Sequence, residues 1–272
     1  MNTFTLANGT EIPQLGLGIY LAGQGQATEQ AVLWALDAGY RHIDTASVYG
    51  NEKEVGRALQ ITDVPREDIF ITGKVWNNQI RDGLTYESVA RTLENLRTDY
   101  LDLCLLHWPV EGTREAWLAL EYLYSKGLVR AIGVSNFHQH HIEEMKEYAS
   151  VLPMVDQIES HPLLSNQELI DWCQANNIQV GAWSPLGGPQ VPLLRHPALL
   201  SLAEKYGRSP AQIVLRWDIQ RGIFVIPKSA HQNRIIENSL IFDFALTDAD
   251  MELISSLNRN YRVGPDPDNF SF

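Results

Sequence analysis

The 272-residue sequence predicts an α/β fold: a (β/α)8 TIM barrel with an N-terminal β-hairpin closing the bottom. Three observations predict it. Eight short apolar runs (QLGLG, HIDT, IFITG, LDLCLL, AIGVS, MVDQI, QVGAW and FVIP) alternate with amphipathic stretches of helical period. The length is ordinary for one such barrel. No low-complexity segment or long linker interrupts it, so residues 1–272 read as a single barrel domain.

The elements follow in order. Alternation around Asn8-Gly9 in TFTLANGTEIP predicts a two-residue hairpin. A hairpin cannot join a parallel barrel, so it is expected to plug the bottom and leave the C-terminal face open. EQAVLWALDAG (29–39) reads as a helix ended by Gly39, and RHIDT (41–45) as a strand. NEKEVGRALQ (51–60) is helical, with acids in its first turn where the helix dipole favours them. IFITGKVW (69–76), YLDLCLLHW (100–108), VRAIGVSN (129–136), MVDQIES (154–160), IQVGAWS (178–184) and IFVIP (223–227) are strands. YESVARTLENL (86–96) and REAWLALEYLYSKG (114–127) are helices, as are 138–149, 166–176, 198–206, 209–221, 232–240 and 247–257.

Composition narrows the function classes. A formal net charge of −12 disfavours nucleic acid and anionic membrane as partners. No apolar run reaches the length of a membrane span, and MNTFTLANGTEIPQLG lacks the pattern of a secretory signal. Cys104 falls in an apolar strand and Cys173 on a helix. Two such cysteines are expected to be reduced and structural, which suits a cytoplasmic home.

Four residues stand out. Asp44, Lys74 and His107 each lie at or just beyond the end of a strand, and Tyr49 lies in the loop after Asp44. If the strands are parallel staves, all four meet at one mouth. Side-chain alternation puts Asp44 on the face of His42, Lys74 on that of Thr72 and His107 on that of Leu105. From residue types alone, other readings stand. Asp44 and Lys74 suit an ordinary buried ion pair, His107 a core histidine and Tyr49 a surface aromatic. His42, Asp44, His107 and His161 also have the chemistry of a zinc set, although Lys74 would then set a cation beside the metal.

The motifs GYRHIDTASVYGNEKEVG (39–56), DYLDLCLLHWP (99–109), GLVRAIGVSNF (127–137), DQIESHP (156–162) and FVIPKS (224–229) occur in this order along nearly the whole chain. Together they resemble the aldo-keto reductases, in particular the bacterial 2,5-diketo-D-gluconate reductases. The resemblance implies reversible NADPH-dependent reduction of aldehydes or ketones to alcohols. Candidate substrates include keto-sugar acids such as 2,5-diketo-D-gluconate and small aldehydes. It puts Tyr49 at the proton-donor position and Asp44, Lys74 and His107 at the supporting ones. A free tyrosine has a pKa of about 10, and a nearby ammonium is expected to lower it.

The resemblance also implies a binding set for NADPH (NADP+) and no metal cofactor. Trp183 is the nicotinamide stacking candidate, and Ser135, Asn136 and Gln157 fit the carboxamide positions. For Ser135 and Asn136, capping of the following helix is the other reading. Ser184 and Leu186 fall in the loop expected to meet the pyrophosphate. Lys228, Ser229 and Arg234 fit the 2′-phosphate, and Glu237 and Asn238 the adenine. Related enzymes often carry an arginine where His231 stands, so the margin of NADPH over NADH depends on the remaining cations. No G-x-G-x-x-G follows a strand. Tyr20, Trp76 and Trp108 fall at the substrate-pocket positions, and the short WPVEGT stretch after His107 suggests an open pocket beside the tail YRVGPDPDNFSF. The expected partner is a small carbonyl compound, acting on a monomer. A non-catalytic nicotinamide-nucleotide-binding sensor or subunit of the same fold, similar to potassium-channel β subunits, is the alternative.

Overall fold

A computed structural model describes residues 2–23 and 25–272. The chain runs β1 (Thr3–Thr5), β2 (Glu11–Pro13), β3 (Leu17–Gly18), α1 (Gln26–Asp37), β4 (His42–Asp44), α2 (Glu52–Ile61), β5 (Phe70–Val75), α3 (Asn77–Arg81) and α4 (Thr85–Leu96). It continues through β6 (Leu103–Leu106), α5 (Thr113–Ser125), β7 (Ile132–Ser135), α6 (Gln139–Met145), β8 (Val155–Glu159), α7 (Gln167–Ala175) and β9 (Gln179–Trp183). It ends with α8 (Pro197–Tyr206), α9 (Pro210–Gln220), β10 (Phe224–Val225), α10 (Gln232–Ser239) and α11 (Asp248–Ser255).

Strands β3 to β10 pair in sequence order, each parallel to the next. Parallel bridges Leu15–Val225 and Gly18–Lys228 close the last strand onto the first. Gly16 N donates to Val225 O at 2.8 Å and Val225 N to Gln14 O at 2.9 Å across that seam. The seam needs bare backbone. A Cβ on Gly16 would lie 2.8 Å from the His42 ring, and one on Gly18 would lie 2.8 Å from Ile226 O. Every residue of β5, β6, β7 and β8 is buried, as expected for parallel strands covered on both faces.

The barrel interior is layered. His42 sits 5.0 Å from Phe70 and 5.7 Å from Phe224 (ring centroids), and its Nε2 lies 2.9 Å from Thr72 Oγ1. One level higher on the same strands stand Asp44 and Lys74. A smaller apolar cluster, including Leu199, Leu202, Ile213, Trp217 and Ile254, packs α8, α9 and α11 outside the barrel.

The hairpin lies at the bottom, where Asn8 Nδ2 donates to Arg130 O at 2.9 Å just ahead of β7. Its turn differs from the two-residue expectation. Gly9 N donates to Leu6 O and Leu6 N to Thr10 O, both at 2.8 Å, which leaves three loop residues. Only Gly9 takes positive φ (+86°), as in a type I turn followed by a bulge. Two other departures appear. The helix expected at 138–149 stops at Met145, and the short helix α3 has no sequence counterpart, since five residues show too little periodicity. Among the described residues, no helix is long and apolar enough to cross a membrane.

Candidate active site

The strand ends bring the four candidates to the C-terminal mouth. Asp44 ends β4, and a 3-10 turn, Ser47–Tyr49, follows after two residues. Gly50 leaves that turn at φ +67° and directs the chain into α2. Asn51 Nδ2 donates to Ile19 O at 3.0 Å, which fixes the loop against the end of β3. Lys74, fifth residue of β5, reaches Asp44 on the adjacent strand β4: Nζ donates to Asp44 Oδ1 at 2.5 Å and to Thr45 O at 3.1 Å. The two side chains are 1% and 2% exposed. Gln157 Nε2 donates to the other Asp44 oxygen at 2.7 Å.

Tyr49 and His107 stand over this pair. Lys74 Nζ lies 5.3 Å from the Tyr49 ring centroid, and the Tyr49 and His107 rings meet edge-on at 5.9 Å. The Tyr49 ring is half-buried and also packs 5.0 Å from Tyr20. His107 Nδ1 is buried without a hydrogen-bond partner. An acid, an amine, a phenol and an imidazole therefore share one opening.

Burial dominates the electrostatics. It pushes Tyr49 well above the usual phenol range, helped by the Asp44 charge and by Tyr20. This departs from the expected lowering by an ammonium, because burial and the negative charge of Asp44 act in the opposite direction. Burial lowers Lys74 while Asp44 opposes the shift, and burial with the Lys74 charge drives His107 well below the ordinary histidine value. At neutral pH the resting site holds a protonated phenol and an uncharged imidazole.

The cofactor candidates line the same rim along β7 to β10. Ser135 Oγ donates to Gln157 O at 2.8 Å, and Asn136 Nδ2 donates to His107 O at 3.0 Å. The capping reading fails for both, because α6 is capped by His138 and His141. Asn136 adopts φ +64°, which swings its amide inward, and Trp183 Nε1 donates to its Oδ1 at 2.8 Å. A Cβ on Gly264 would lie 2.4 Å from the Trp183 ring, so the indole is fixed from two sides yet half-buried. That arrangement fits a flat ligand ring. Ser184 (φ +49°) and Leu186 follow β9 in the adjoining loop.

Farther along the rim, Lys228 and Arg234 are exposed around the N-terminus of α10, and buried Ser229 accepts from His231 N at 3.1 Å. Backbone N–H groups and two cations there suit a phosphate. Glu237 is half-buried and Asn238 buried on the next turn.

The pocket walls are less open than the short WPVEGT loop suggested. Tyr20 is 56% exposed, but Trp76 stacks on Phe272 at 5.6 Å, and Trp108 is buried beneath Phe270 (4.9 Å) and Phe272 (5.2 Å). Trp76 meets His107 edge-on at 5.0 Å, linking that wall to the imidazole. Asn77 and Arg81 of α3 donate to Phe272 O at 3.3 and 2.8 Å. Upstream, Glu159 accepts from Val263 N and Gly264 N at 2.6 and 3.1 Å and from His161, which anchors the tail beside Trp183. The sequence places the tail YRVGPDPDNFSF near the mouth without singling out Phe270 and Phe272, and it gives no sign of the part Glu159 plays in anchoring that tail. The alternation FSF was the one available signal for the aromatic pair. The zinc-type set disperses, since His42 is engaged with Thr72 and His161 with Glu159.

The comparisons agree with this geometry. The Aldo/keto reductase family model matches residues 14–259. The uncharacterized oxidoreductase YtbE of Bacillus subtilis is 50% identical over 98% of this chain and 97% of its own. Glyoxal reductase of the same organism is 47% identical over 100% and 98%. The 9,11-endoperoxide prostaglandin H2 reductase of Trypanosoma cruzi is 47% identical over 99% and 96%. The crystal structure of MGS-M4, an aldo-keto reductase from a Medee basin deep-sea metagenome library, superposes with a TM-score of 0.97 at 42% identity, over 99% of this chain and 100% of that one. The chain therefore belongs to the aldo/keto reductase family, oxidoreductases that reduce carbonyl compounds on a (β/α)8 barrel.

Proposed function

We propose that this chain reduces small aldehydes and ketones to alcohols with NADPH, using Tyr49 as the proton donor. The observation that carries the reading is the mouth itself, where a protonated phenol and a neutral imidazole stand over a buried Lys74–Asp44 pair. Bound nicotinamide supplies the hydride. The chain's own residues handle the oxygen. His107, uncharged, donates one N–H to the carbonyl oxygen and orients it. Tyr49 hands its proton to that oxygen as charge develops there. Lys74 has three N–H groups and spends two on Asp44 and Thr45, which leaves one to stabilise the phenolate. Asp44, held by Gln157, keeps the ammonium charged against the burial that opposes it.

Trp183, Ser135, Asn136 and Gln157 hold the nicotinamide, Ser184 and Leu186 meet the pyrophosphate, and Glu237 and Asn238 receive the adenine. Lys228, Ser229 and Arg234 favour NADPH through its 2′-phosphate. Aromatic walls from Tyr20, Trp76 and Trp108, narrowed by Phe270 and Phe272, suit a compact carbonyl such as an α-dicarbonyl or a keto-sugar acid. The test is a steady-state kcat/KM screen over a carbonyl panel with both nicotinamide cofactors. Turnover of small dicarbonyls with NADPH preferred is expected. Cofactor binding without turnover across the panel would favour the non-catalytic sensor, and equal use of NADH would remove the 2′-phosphate assignment.

A further inference from the structure

A second group of chemistry-bearing side chains lies outside the mouth. The first turn of α6 carries His138, His140 and His141, and the C-terminal tail brings Asp268 against them. His138 Nδ1 lies 2.8 Å from Asp268 Oδ2, while His140 Nε2 and His141 Nε2 lie 3.2 and 3.5 Å from Asp268 Oδ1. One ligand atom from each residue falls within 4.8 Å of all the others. The His140 and His141 rings are 3.9 Å apart (centroids). Asp268 is delivered by a turn in which its own N–H donates to Asp266 Oδ1 at 3.0 Å and Asn269 N to Asp266 O at 3.0 Å.

We propose that His138, His140, His141 and Asp268 form a surface site for a divalent transition-metal ion of the zinc class, which clasps the tail onto α6. Three imidazoles and one carboxylate match the donor preference of Zn2+, Co2+ and Ni2+ and do not match that of Mg2+ or Ca2+. A tetrahedral ion with bonds of about 2.0–2.1 Å needs donors about 3.4 Å apart, so the side chains close by roughly an ångström. Burial and the neighbouring His140 hold His141 down to about 4, in the neutral form that coordination needs.

The outer ring nitrogens set the strength of the site. Arg262 donates to His138 Nε2 at 3.0 Å, and His138 N donates to His141 Nδ1 at 3.0 Å. Coordination through His138 Nδ1 and His141 Nε2 shifts each ring proton to the nitrogen these donors now face. Arg262 must then turn toward Asp266, 3.8 Å away, and the α6 cap must loosen. Metal-binding histidines ordinarily donate their outer N–H to an acceptor, so this site is weaker than a structural zinc centre. Its effect is mechanical. Asp268 is two residues before Phe270, which covers Trp108, so a bound ion fixes the aromatic cover of the mouth. That last consequence rests on the carbonyl-reductase reading, whereas the site does not.

The experiment uses the untagged full chain after chelator treatment. Co2+ is titrated and followed by its visible d–d absorption, with Zn2+ competition. One equivalent of four-coordinate Co2+ per chain, displaced by Zn2+, is expected. His140→Gln and Asp268→Asn, both at exposed side chains, should each weaken it by about tenfold or more. Hydrogen exchange of residues 262–272 should slow with Zn2+ in the wild type and stay unchanged in Asp268→Asn. Absence of tetrahedral Co2+, or variants that bind like the wild type, overturns the site. Tail exchange indifferent to Zn2+ overturns the clasp. None of these readouts depends on carbonyl turnover.

Discussion

Among the described residues, two ion pairs of lysine or arginine with a carboxylate are fully buried, and they are built to different ends. Arg221 and Asp218 are 5% and 0% exposed, much as Lys74 and Asp44 are. Arg221 commits four of its five N–H groups, to Asp218 Oδ1, Ser160 Oγ, Ser165 O and Gln167 Oε1, and it lies 4.0 Å over the Trp217 ring. This pair knits α9 to the loops after β8. Lys74 commits two of its three hydrogens and sits beneath an open phenol. Both pairs cost desolvation. A cation enclosed by loops and an indole holds structure, whereas one facing a cleft is available for chemistry.

The largest effect should come from the group above the open pair. Tyr49→Phe is expected to lower kcat for reduction by about 10²–10⁴-fold while leaving the NADPH dissociation constant nearly unchanged. A variant with wild-type turnover would remove the phenol from the mechanism.

The pairs themselves can then be set against each other. Lys74→Met and Arg221→Met each leave a buried carboxylate without its cation, and each should cost about 3–5 kcal/mol in urea unfolding. Only Lys74→Met should also collapse kcat of the folded fraction. If Arg221→Met lowers kcat equally, the distinction between the enclosed pair and the cleft-facing pair is wrong.

Exposed cations should behave differently from either pair. Arg234→Ala is expected to weaken NADPH by about tenfold, with NADH binding and unfolding free energy little changed. Equal losses for the two cofactors would mean that Arg234 does not read the 2′-phosphate.

The smallest effect lies one layer below the mouth. Burial and the Lys74 charge hold His42 at about 3. An unfolded histidine titrates near 6.5, so between those values the unfolded chain binds a proton that the native chain refuses. Stability contributed by neutral His42 is therefore full above pH 6.5 and is lost as pH falls through the window, by up to ~1.4 kcal/mol per pH unit. His42→Gln should flatten the stability slope between pH 4 and 6 by one proton. A slope that stays the same would show that other groups carry the acid sensitivity.

The alternation of apolar strands and amphipathic helices was sufficient to place all eight staves, because burial on both faces leaves uninterrupted apolar runs that stand out from their surroundings. Departures cluster where that signal is weak. The hairpin loop gained a residue because Asn8 stays at negative φ and only Gly9 turns over. The five-residue helix α3 is shorter than two helical turns. Glu159 looks like any strand-end acid in DQIESHP, and nothing local reveals that its carboxylate collects Val263 and Gly264 from the far end of the chain. The Tyr49 shift runs opposite to the expectation for a related reason: the resemblance names the ammonium beside the phenol, but no local pattern reveals the burial that outweighs it.

The sequence by itself determined the barrel, its order and the residue types gathered at its C-terminal rim, since periodicity and strand ends are local properties of the chain. Only the tertiary structure decided that burial and Asp44 keep the phenol protonated despite the ammonium below it, and that Phe270 and Phe272 are the tail residues that cover Trp108. Those outcomes depend on which groups lose water together and which charges face one another across the mouth, distances that no local pattern encodes.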